Sequence, residues 1–124
     1  MTPEQIKFRG FRTDGKGWVV GLPISNEERS FWAIKWYVNG VPYISDIHPS
    51  SLGMFTGLTD KNGKEIYGAI GERGGDVDQS GRVVVYDRGS FILTDNLSGE
   101  YALIGDCEFC EIIGNQWEVD NGKV

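Results

Sequence analysis

A two-residue alternation of side chains constrains this chain more than any other feature, and it is clearest in SFWAIKWYV at residues 30–38. One side of an extended strand would carry Trp32, Ile34, Trp36 and Val38, and the other would carry the residues between them. Asn39-Gly40 follows directly. Because both residue types tolerate positive φ, this pair predicts a two-residue type I′ turn and therefore a β-hairpin.

The return strand of this hairpin is VPYISDI at residues 41–47. Pro42 lies near its start and has no N–H to donate to a neighbouring strand. Proline inside a sheet is confined to edge strands, strand ends and bulges. We therefore expect the return strand to lie at an edge of the sheet.

Further short alternating segments follow the same pattern. They are RVVVYD (82–87), SFILTD (90–95), EYALIG (100–105) and CEIIGNQWEV (110–119). Turns are expected at Arg88-Gly89 and Ser98-Gly99, and Gly114 indicates a break in the last strand, such as a bulge. Helix signals are limited to single turns in 25–29 and 48–55. The expected fold is mainly β, or β-rich α+β at most: a small barrel or sandwich of short antiparallel strands.

The length of 124 residues predicts one compact domain over 1–124, or two lobes at about 1–58 and 59–124 that share a core. Hydrophobic residues make up 40% of the chain, which is enough to build such a core. No apolar run approaches the ~18 residues that a membrane span needs, and the first five residues do not begin a signal peptide. We expect a soluble, cytoplasmic protein.

The net charge of -6 argues against a general binder of phosphate backbones. The charge is uneven, because residues 1–40 hold six Lys/Arg and four Asp/Glu, whereas residues 41–124 hold six and fourteen. The cations near the start of the chain form a basic cluster of Lys7, Arg9, Arg12 and Lys16, which Asp14 opposes. With the aromatic residues, this cluster keeps a nucleic-acid-binding regulator open as an alternative.

The run Asp60-Lys61-Asn62-Gly63 is rich in groups that bind metals. A helix-loop-helix calcium site requires oxygen ligands at its first, third and fifth positions, Gly at the sixth and Glu at the twelfth. Counted from Asp60, the last three of these positions hold Lys64, Glu65 and Gly71. The run is therefore predicted to be a second type I′ hairpin turn, with positive φ at both Asn62 and Gly63.

The same run lies inside TGLTDKNGKEIY (56–67), which resembles the central signature of the YopX family of small phage and prophage proteins. Similar stretches lie at IKFRGF (6–11), WVVG (18–21), IHPSSLGMFTGL (47–58) and EIIGNQWE (111–118). The resemblance implies a β-rich fold with an SH3-like barrel in the second half, and a phage accessory role in the bacterial host cell. It implies no catalytic residues and no cofactor.

One segment departs from the family pattern. After the signature Tyr, family members continue Glu-Gly-Asp-Ile-Val into a strand, whereas this chain has GAIGERGGDVD at 68–78, with Gly75-Asp76-Val77 as the remnant. The role of this Gly-rich loop is left open by the departure. A phosphate-binding loop would need a following helix or a Gly-Lys-Ser/Thr run, and neither is present, so a flexible surface loop is favoured.

The two cysteines, Cys107 and Cys110, form a CEFC motif. A structural zinc site needs four ligands, and the chain has one histidine, His48. Unpaired cysteines on a strand are expected; a zinc site shared by the pairs of two chains, or a redox or disulfide pair, remain the alternatives. Core packing is likewise favoured over a base-stacking platform for the four tryptophans, Trp18, Trp32, Trp36 and Trp117.

No catalytic, cofactor-binding or metal-binding residues are assigned, because the chain has no nucleophile motif and its carboxylates show no selective spacing. The sequence therefore favours a non-enzymatic protein-interaction module. Its expected partners are a host or phage protein and a second copy of itself, giving a homo-oligomer. A nucleic-acid-binding regulator is the alternative, and a metal-dependent or hydrolytic enzyme has the least support.

Overall fold

The computed structural model describes residues 2–28, 30–95, 101–103 and 110–122. Strands dominate this part of the chain, with one short helix, α1 (Gln116–Asp120), and two 3₁₀ turns, Pro3–Gln5 and Pro49–Ser51. The strands are β1 (Phe8–Phe11), β2 (Trp18–Ser25), β3 (Phe31–Val38), β4 (Val41–Asp46), β5 (Gly53–Thr59), β6 (Glu65–Ala69), β7 (Asp76–Asp78), β8 (Val83–Asp87), β9 (Ser90–Thr94), β10 (Tyr101–Leu103) and β11 (Ile112–Asn115).

These strands form one open sheet in the order β10-β9-β8-β6-β5-β1-β2-β3-β4, with β7 bridging β8 and β11 beside it. Every pairing between these strands is antiparallel except that of β6 with β8, so the sheet is mixed. The prediction of a mainly β protein is confirmed. The SH3-like barrel is not confirmed, because the second half contributes strands to this open sheet.

The predicted hairpin is present as β3 and β4. Asn39 has φ of 51° and Gly40 has φ of 79°, and Val38 pairs with Val41 across the two-residue turn. β4 ends the strand order, so Pro42 lies on an edge strand as predicted. Arg88-Gly89 joins β8 and β9 in the same way, with φ of 51° and 88°. The expected turn at Ser98-Gly99 lies outside the described residues, although β9 and β10 do pair.

The turn after β5 differs from the predicted one. Gly63 has φ of 81°, but Asn62 does not have positive φ, so the expected type I′ geometry is wrong. The Gly63 N–H donates to the Asp60 carbonyl at 3.0 Å, and the Asp60 N–H donates to the Lys64 carbonyl at 2.8 Å. This is a three-residue loop in which glycine occupies the left-handed position.

Gly63→Val is expected to destabilise the protein by roughly 1–3 kcal/mol, because a β-branched side chain is costly at positive φ. A Cβ at this position would meet no neighbouring atom within 4 Å, so the cost would come from the backbone alone. Chemical denaturation monitored by circular dichroism measures it. Asn62→Val is the matched control and should change stability much less; equal effects would contradict the assignment of strain to Gly63.

The same turn recurs between β7 and β8. The Gly81 N–H donates to the Asp78 carbonyl at 3.0 Å, and the Asp78 N–H donates to the Arg82 carbonyl at 2.9 Å. Both turns also contact the segment that leads into β11: the Lys61 N–H donates to the Cys110 carbonyl at 3.1 Å, and the Glu111 N–H donates to the Gln79 side chain at 2.9 Å. The twin turns therefore hold the start of β11 in place.

Two hydrophobic clusters form the core of the described residues. One contains Val19, Ile34, Ile47 and Leu52. The other contains Ile66, Val84, Leu93, Cys110 and Ile112. The first cluster lies entirely before residue 58 and the second entirely after it, so the clusters separate where the two lobes are predicted to divide. One domain or two lobes stays a prediction.

The end of the chain is partly helical, which corrects the prediction of a strand over 110–119. β11 ends at Asn115, whose side chain accepts the Glu118 N–H at 2.8 Å and so caps α1. The expected irregularity at Gly114 is present as a register shift between Ile112 and Gly114.

The single turn expected within 48–55 is the 3₁₀ turn at Pro49–Ser51, whereas 25–28 form no helix. In the described residues, no helix has both the length and the hydropathy to cross a membrane.

The Gly-rich loop is packed against the chain, which corrects the expectation of a flexible surface loop. The Ile70 and Gly71 N–H groups both donate to the Leu52 carbonyl, at 3.1 and 2.8 Å, and the Arg73 N–H donates to the Ser50 carbonyl at 2.8 Å. A Cβ on Gly74 would lie 1.8 Å from the Leu52 oxygen, so only glycine fits there. Because these N–H groups already have acceptors, the loop does not offer them to a phosphate.

Candidate functional site

Exposed apolar side chains are concentrated on β2, β3 and β4. These three strands carry eight of the fourteen large hydrophobic residues that are exposed in the described part of the chain. We call them the hairpin surface: Val20, Leu22, Trp32, Tyr37, Val38, Val41, Tyr43 and Ile44. Single exposed apolar residues are ordinary on proteins, but a contiguous group indicates a contact site.

The strand register brings the most exposed members together on one face. Lys35 pairs with both Leu22 and Ile44, so these three side chains form one row across the sheet. Tyr37 follows two residues after Lys35 and therefore points to the same face. Leu22 is 56% exposed, and Tyr37 and Ile44 are each 60% exposed. The other face of the hairpin carries Tyr43, whose ring stacks on that of Trp36 at 5.2 Å between centroids.

The hairpin surface is almost without charge. The residues of β2, β3 and β4 include one cation, Lys35, and one anion, Asp46. The Lys35 Nζ lies 5.8 Å from the centroid of the Tyr37 ring, which keeps the cation over an apolar group. Protein interfaces are depleted of charged residues at their centre and enriched in Tyr and Trp, and this surface has that composition.

The size of the hairpin surface also suits a protein partner. A large aromatic side chain covers about 150–250 Å², so eight side chains that are each about half exposed present several hundred Å² in total. Each partner of a standard protein interface contributes about 800 Å². Because the eight side chains are divided between the two faces of the hairpin, the face that carries Leu22, Tyr37 and Ile44 supplies part of the apolar area that one side of such an interface needs.

The basic cluster, by contrast, is largely neutralised by acidic partners. Lys7 contacts Glu65 at 2.6 Å. Arg9 contacts Asp76, and Arg12 contacts Asp14, each at 2.5 Å. Lys16 is exposed in the connection between β1 and β2. Because three of the four cations already pair with carboxylates, little positive charge is left to release counterions from a nucleic acid.

Arg9 is held inside the protein. Its guanidinium lies between the rings of Trp18 and Tyr67, at 4.9 and 4.3 Å from their centroids. Its partner Asp76 also accepts the Tyr67 N–H at 2.8 Å. Burial raises the pKa of Asp76 above its ordinary value, against the opposing effects of Arg9 and the Tyr67 N–H. Burial, followed by the charge of Glu65, raises the pKa of Tyr67 to about 12. The ion pair of Arg9 with Asp76 joins β1 to β7 and stabilises the fold.

The other buried carboxylates, Asp60 and Asp78, accept hydrogen bonds from the main chain of the twin turns. Asp60 Oδ1 accepts the N–H groups of Asn62 and Lys64, and Asp60 Oδ2 accepts the Ile112 N–H, all at 2.9 Å. Asp78 Oδ1 accepts the N–H groups of Ser80 and Arg82, both at 2.9 Å. Burial raises the pKa of Asp60, but the three N–H donors together lower it below its ordinary value. Within the described ranges, no three His, Cys, Asp or Glu residues are placed to hold a metal ion.

The cysteine expectation is corrected by the structure. Cys110 is disulfide-bonded and 4% exposed in the second core cluster, so it is not an unpaired cysteine on a strand. Cys107 lies outside the described residues. A disulfide sulfur offers no thiolate to zinc, so the shared zinc site does not fit this form of the protein.

The tryptophans divide between the core and the surface. Trp117 is 5% exposed and stacks on Phe11 at 4.5 Å between centroids, as expected for core packing. Trp18 packs edge-on against both rings, and His48 lies 5.1 Å from Trp117, so the one histidine belongs to this aromatic cluster. Trp32 is 41% exposed, which corrects the core expectation for that residue.

The hairpin surface was not identified from the sequence, although the sequence carries a signal for it. Apolar residues occupy both parities in β3 and β4, as in Trp36-Tyr37-Val38 and in Tyr43-Ile44. A strand with one solvated face alternates apolar with polar residues. Apolar residues at adjacent positions of an edge hairpin therefore indicate that both faces of the hairpin contact other protein surface.

Comparison with known proteins agrees with the resemblance drawn from the motifs. The family model described as YopX protein matches residues 7–121, which is nearly the whole chain. No curated protein matches the chain significantly.

Proposed function

Since the chain belongs to the YopX family, we propose that it is a non-enzymatic protein-interaction module, an accessory protein of a phage or prophage that acts by binding another protein. The binding site in this proposal is the hairpin surface. The observation that carries the proposal is the concentration of exposed apolar side chains on β2–β4, where only Lys35 and Asp46 are charged.

The buried acidic residues support a non-enzymatic role. A catalytic carboxylate must be free to reach a substrate, whereas Asp60, Asp76 and Asp78 each accept hydrogen bonds from main-chain N–H groups of their own chain. These residues stabilise turns and strand contacts. Their hydrogen bonds support the interaction module over the hydrolytic or metal-dependent alternative.

The pairing of the basic cluster supports a protein partner over a nucleic acid. The salt bridges of Lys7, Arg9 and Arg12 neutralise the cations on which a nucleic-acid site would depend. The net charge of -6 adds long-range repulsion of a polyanion. We expect no measurable binding to random duplex DNA near physiological salt.

Affinity capture with a tagged chain tests the proposal. The chain is incubated with lysate of bacteria that carry the phage, and bound material is identified by mass spectrometry and nucleic-acid staining. A variant with Leu22→Asp and Tyr37→Asp should lose the captured protein, because burying two carboxylates on the face that carries Lys35 and Ile44 costs free energy that burying the apolar side chains does not.

The matched control is Tyr86→Asp, which changes an exposed side chain of β8 outside the hairpin surface and is expected to keep the captured protein. Equal recovery by all three chains would contradict the proposed surface. Recovery of nucleic acid, with salt-sensitive DNA binding that is lost in Lys7 and Lys16 variants, would overturn the proposal in favour of a nucleic-acid-binding regulator.

A further inference from the structure

We propose that Asn39, at the tip of the β3–β4 hairpin, is a site of spontaneous deamidation that places a new carboxylate beside the hairpin surface. The inference goes beyond the proposed function, and only its consequence for binding rests on that function. Its evidence is that the chain contains the same dipeptide, Asn-Gly, at 39–40, 62–63 and 121–122, in three different hydrogen-bonding environments.

Deamidation of an Asn-Gly pair needs no enzyme. The main-chain nitrogen of the glycine loses its proton to base and attacks the side-chain carbonyl carbon of the asparagine. A new C–N bond forms, the bond from that carbon to the side-chain nitrogen breaks, and this nitrogen takes up a proton and leaves as ammonia. Water then opens the resulting succinimide ring at either carbonyl and gives aspartate or isoaspartate. Glycine favours the attack because it has no side chain to obstruct it, and asparagine is among the thermolabile residues.

The glycine N–H groups distinguish the three pairs. All three pairs are exposed, so access to water does not separate them. The Gly63 N–H donates to the Asp60 carbonyl at 3.0 Å, and the Gly122 N–H donates to the Val119 carbonyl at 3.2 Å. In the part of the chain that the structure describes, the Gly40 N–H has no acceptor. Base therefore removes the Gly40 proton most readily, because no internal hydrogen bond must open first.

The attack also requires rotation about the Cα–C bond of the asparagine, and neighbouring hydrogen bonds oppose this rotation at two of the pairs. The Asp60 carboxylate accepts the N–H groups of both Asn62 and Lys64 at 2.9 Å. Asn121 is held to the Trp117 carbonyl by its main-chain N–H at 3.1 Å and by its side-chain amide at 2.8 Å. At both pairs these bonds must open before the side chain can reach the glycine nitrogen.

The tip of the hairpin opposes the rotation least. Asn39 makes no hydrogen bond to any described residue. The pair that closes its turn, Val38 with Val41, is the last of the β3–β4 ladder, and the ends of such elements open most easily. The φ of Asn39 is 51°, which a residue other than glycine adopts at a cost in free energy. Asn39 is therefore the least restrained of the three asparagines.

Deamidation changes both the charge and the geometry of the tip. Residues 36–43 contain no Asp, Glu, Lys or Arg, so the reaction introduces the first charge into this segment. Isoaspartate also adds a methylene group to the main chain, which the two-residue turn between Val38 and Val41 does not accommodate. Both changes should weaken the binding of a partner to the hairpin surface, because a carboxylate would be buried at its tip.

Peptide mapping by mass spectrometry tests the site. Folded protein is kept in mildly alkaline buffer, and the conversion of each asparagine is followed over time after digestion. Asn39 should convert roughly tenfold faster than Asn62 and Asn121, or more, because fewer hydrogen bonds oppose the reaction. The same chain unfolded in urea is the matched control, in which the three pairs should convert at similar rates.

Conversion of Asn62 or Asn121 as fast as that of Asn39 in the folded protein would overturn the inference. A preference for Asn39 of the same size in urea would also overturn it, since that preference would not come from the fold.

Affinity capture from the same lysate tests the consequence for binding. The aged wild-type chain should recover less protein than the fresh chain. An aged Asn39→Gly chain should recover as much as it did when fresh, because Gly-Gly also forms a type I′ turn and carries no side-chain amide. Equal recovery by fresh and aged wild type would contradict the consequence for binding. If the fresh wild-type chain captures no protein, the proposed function fails, and the conversion rates of the three asparagines still decide whether Asn39 is the site.

Discussion

Replacing Arg9 with methionine is expected to lower the free energy of unfolding by about 3–5 kcal/mol, the usual loss when one member of a buried ion pair is removed. The Asp76 carboxylate is 1% exposed and would keep only the Tyr67 N–H as a donor within the group. The substitution would also remove the cation between the Trp18 and Tyr67 rings. Urea unfolding followed by far-ultraviolet circular dichroism measures the loss, since Trp18 fluorescence would itself respond to the change.

Arg12→Met is the matched control because Arg12 belongs to the same basic cluster and also pairs with an aspartate. Its partner Asp14 has a side chain that is 43% exposed, so water replaces the lost cation. We expect a loss of about 1 kcal/mol or less, as for exposed ion pairs. A loss from Arg9→Met no larger than this control would contradict the structural role given to Arg9.

The pH dependence of the free energy of unfolding provides a second check on the structural role of Arg9. Burial raises the pKa of Asp76, so the folded protein binds this proton more tightly than the unfolded chain does. The contribution of Asp76 to stability therefore falls as pH rises from the ordinary carboxyl range, about 4, through the raised folded-state pKa. A protonated Asp76 has less need of a cation, so the difference between wild type and Arg9→Met should shrink as pH falls through this window. A difference that is constant with pH would contradict this account.

Asp60→Ala is expected to destabilise the protein by about 3 kcal/mol, because three main-chain N–H groups lose their acceptor at about 1 kcal/mol or more each. Two of these groups lie in the turn, and the third belongs to Ile112 at the start of β11. The Ile112 N–H should account for the largest share, since that bond is buried. Thermal and urea denaturation measure the loss.

Asp60→Asn separates the two parts of this effect. The amide oxygen can still accept the N–H groups of Asn62 and Lys64, whereas the amide nitrogen would face the Ile112 N–H and cannot accept it. A loss of about 1–2 kcal/mol is expected, between wild type and Asp60→Ala. If Asn and Ala cost the same, the Ile112 bond would account for the whole effect and the turn bonds for none.

The contribution of Asp60 to stability should also depend on pH in the acid range. Burial raises its pKa, but the N–H donors of Ile112, Lys64 and Asn62 bring it below the ordinary value. A carboxylate with a lowered folded-state pKa contributes stability above its ordinary pKa of about 4 and loses it as pH falls through the lowered value. The gap between wild type and Asp60→Asn should therefore narrow below about pH 4, and a gap that widens there would contradict the assignment.

Local turn chemistry was predictable wherever one backbone solution was clearly favoured. Turns form at Asn39-Gly40 and Arg88-Gly89 as predicted, and positive φ is present at both residues of each pair. At Asn62-Gly63 the same reasoning identified the turn but gave the wrong type, because Asp60 adds its own hydrogen bonds to Asn62 and Lys64. Such a side chain offers the backbone an alternative to the two-residue turn. The strand predicted over residues 116–119 failed for a related reason, since the Asn115 side chain caps a helix there.

The candidate site was less predictable than the fold. The basic cluster stood out in the sequence, but its partners Glu65 and Asp76 lie 58 and 67 residues away along the chain. Charge patterning along the chain cannot reveal such a pairing. The β3 and β4 residues of the hairpin surface were correctly assigned to strands from the sequence, but strand assignment does not show which of their faces other elements cover. Their exposure is known only from the structure.

The sequence by itself determined the mainly β class, the β3–β4 hairpin and the edge position of Pro42, because these follow from φ preferences and hydrogen-bonding capacity within a few residues. Only the tertiary structure decided that β6 runs parallel to β8, that Arg9 pairs with Asp76, and that the Gly-rich loop packs on Leu52. These contacts join residues far apart in sequence. Which long-range contacts form depends on how apolar surface is buried and hydrogen bonds are made across the whole sheet. No short segment contains that information.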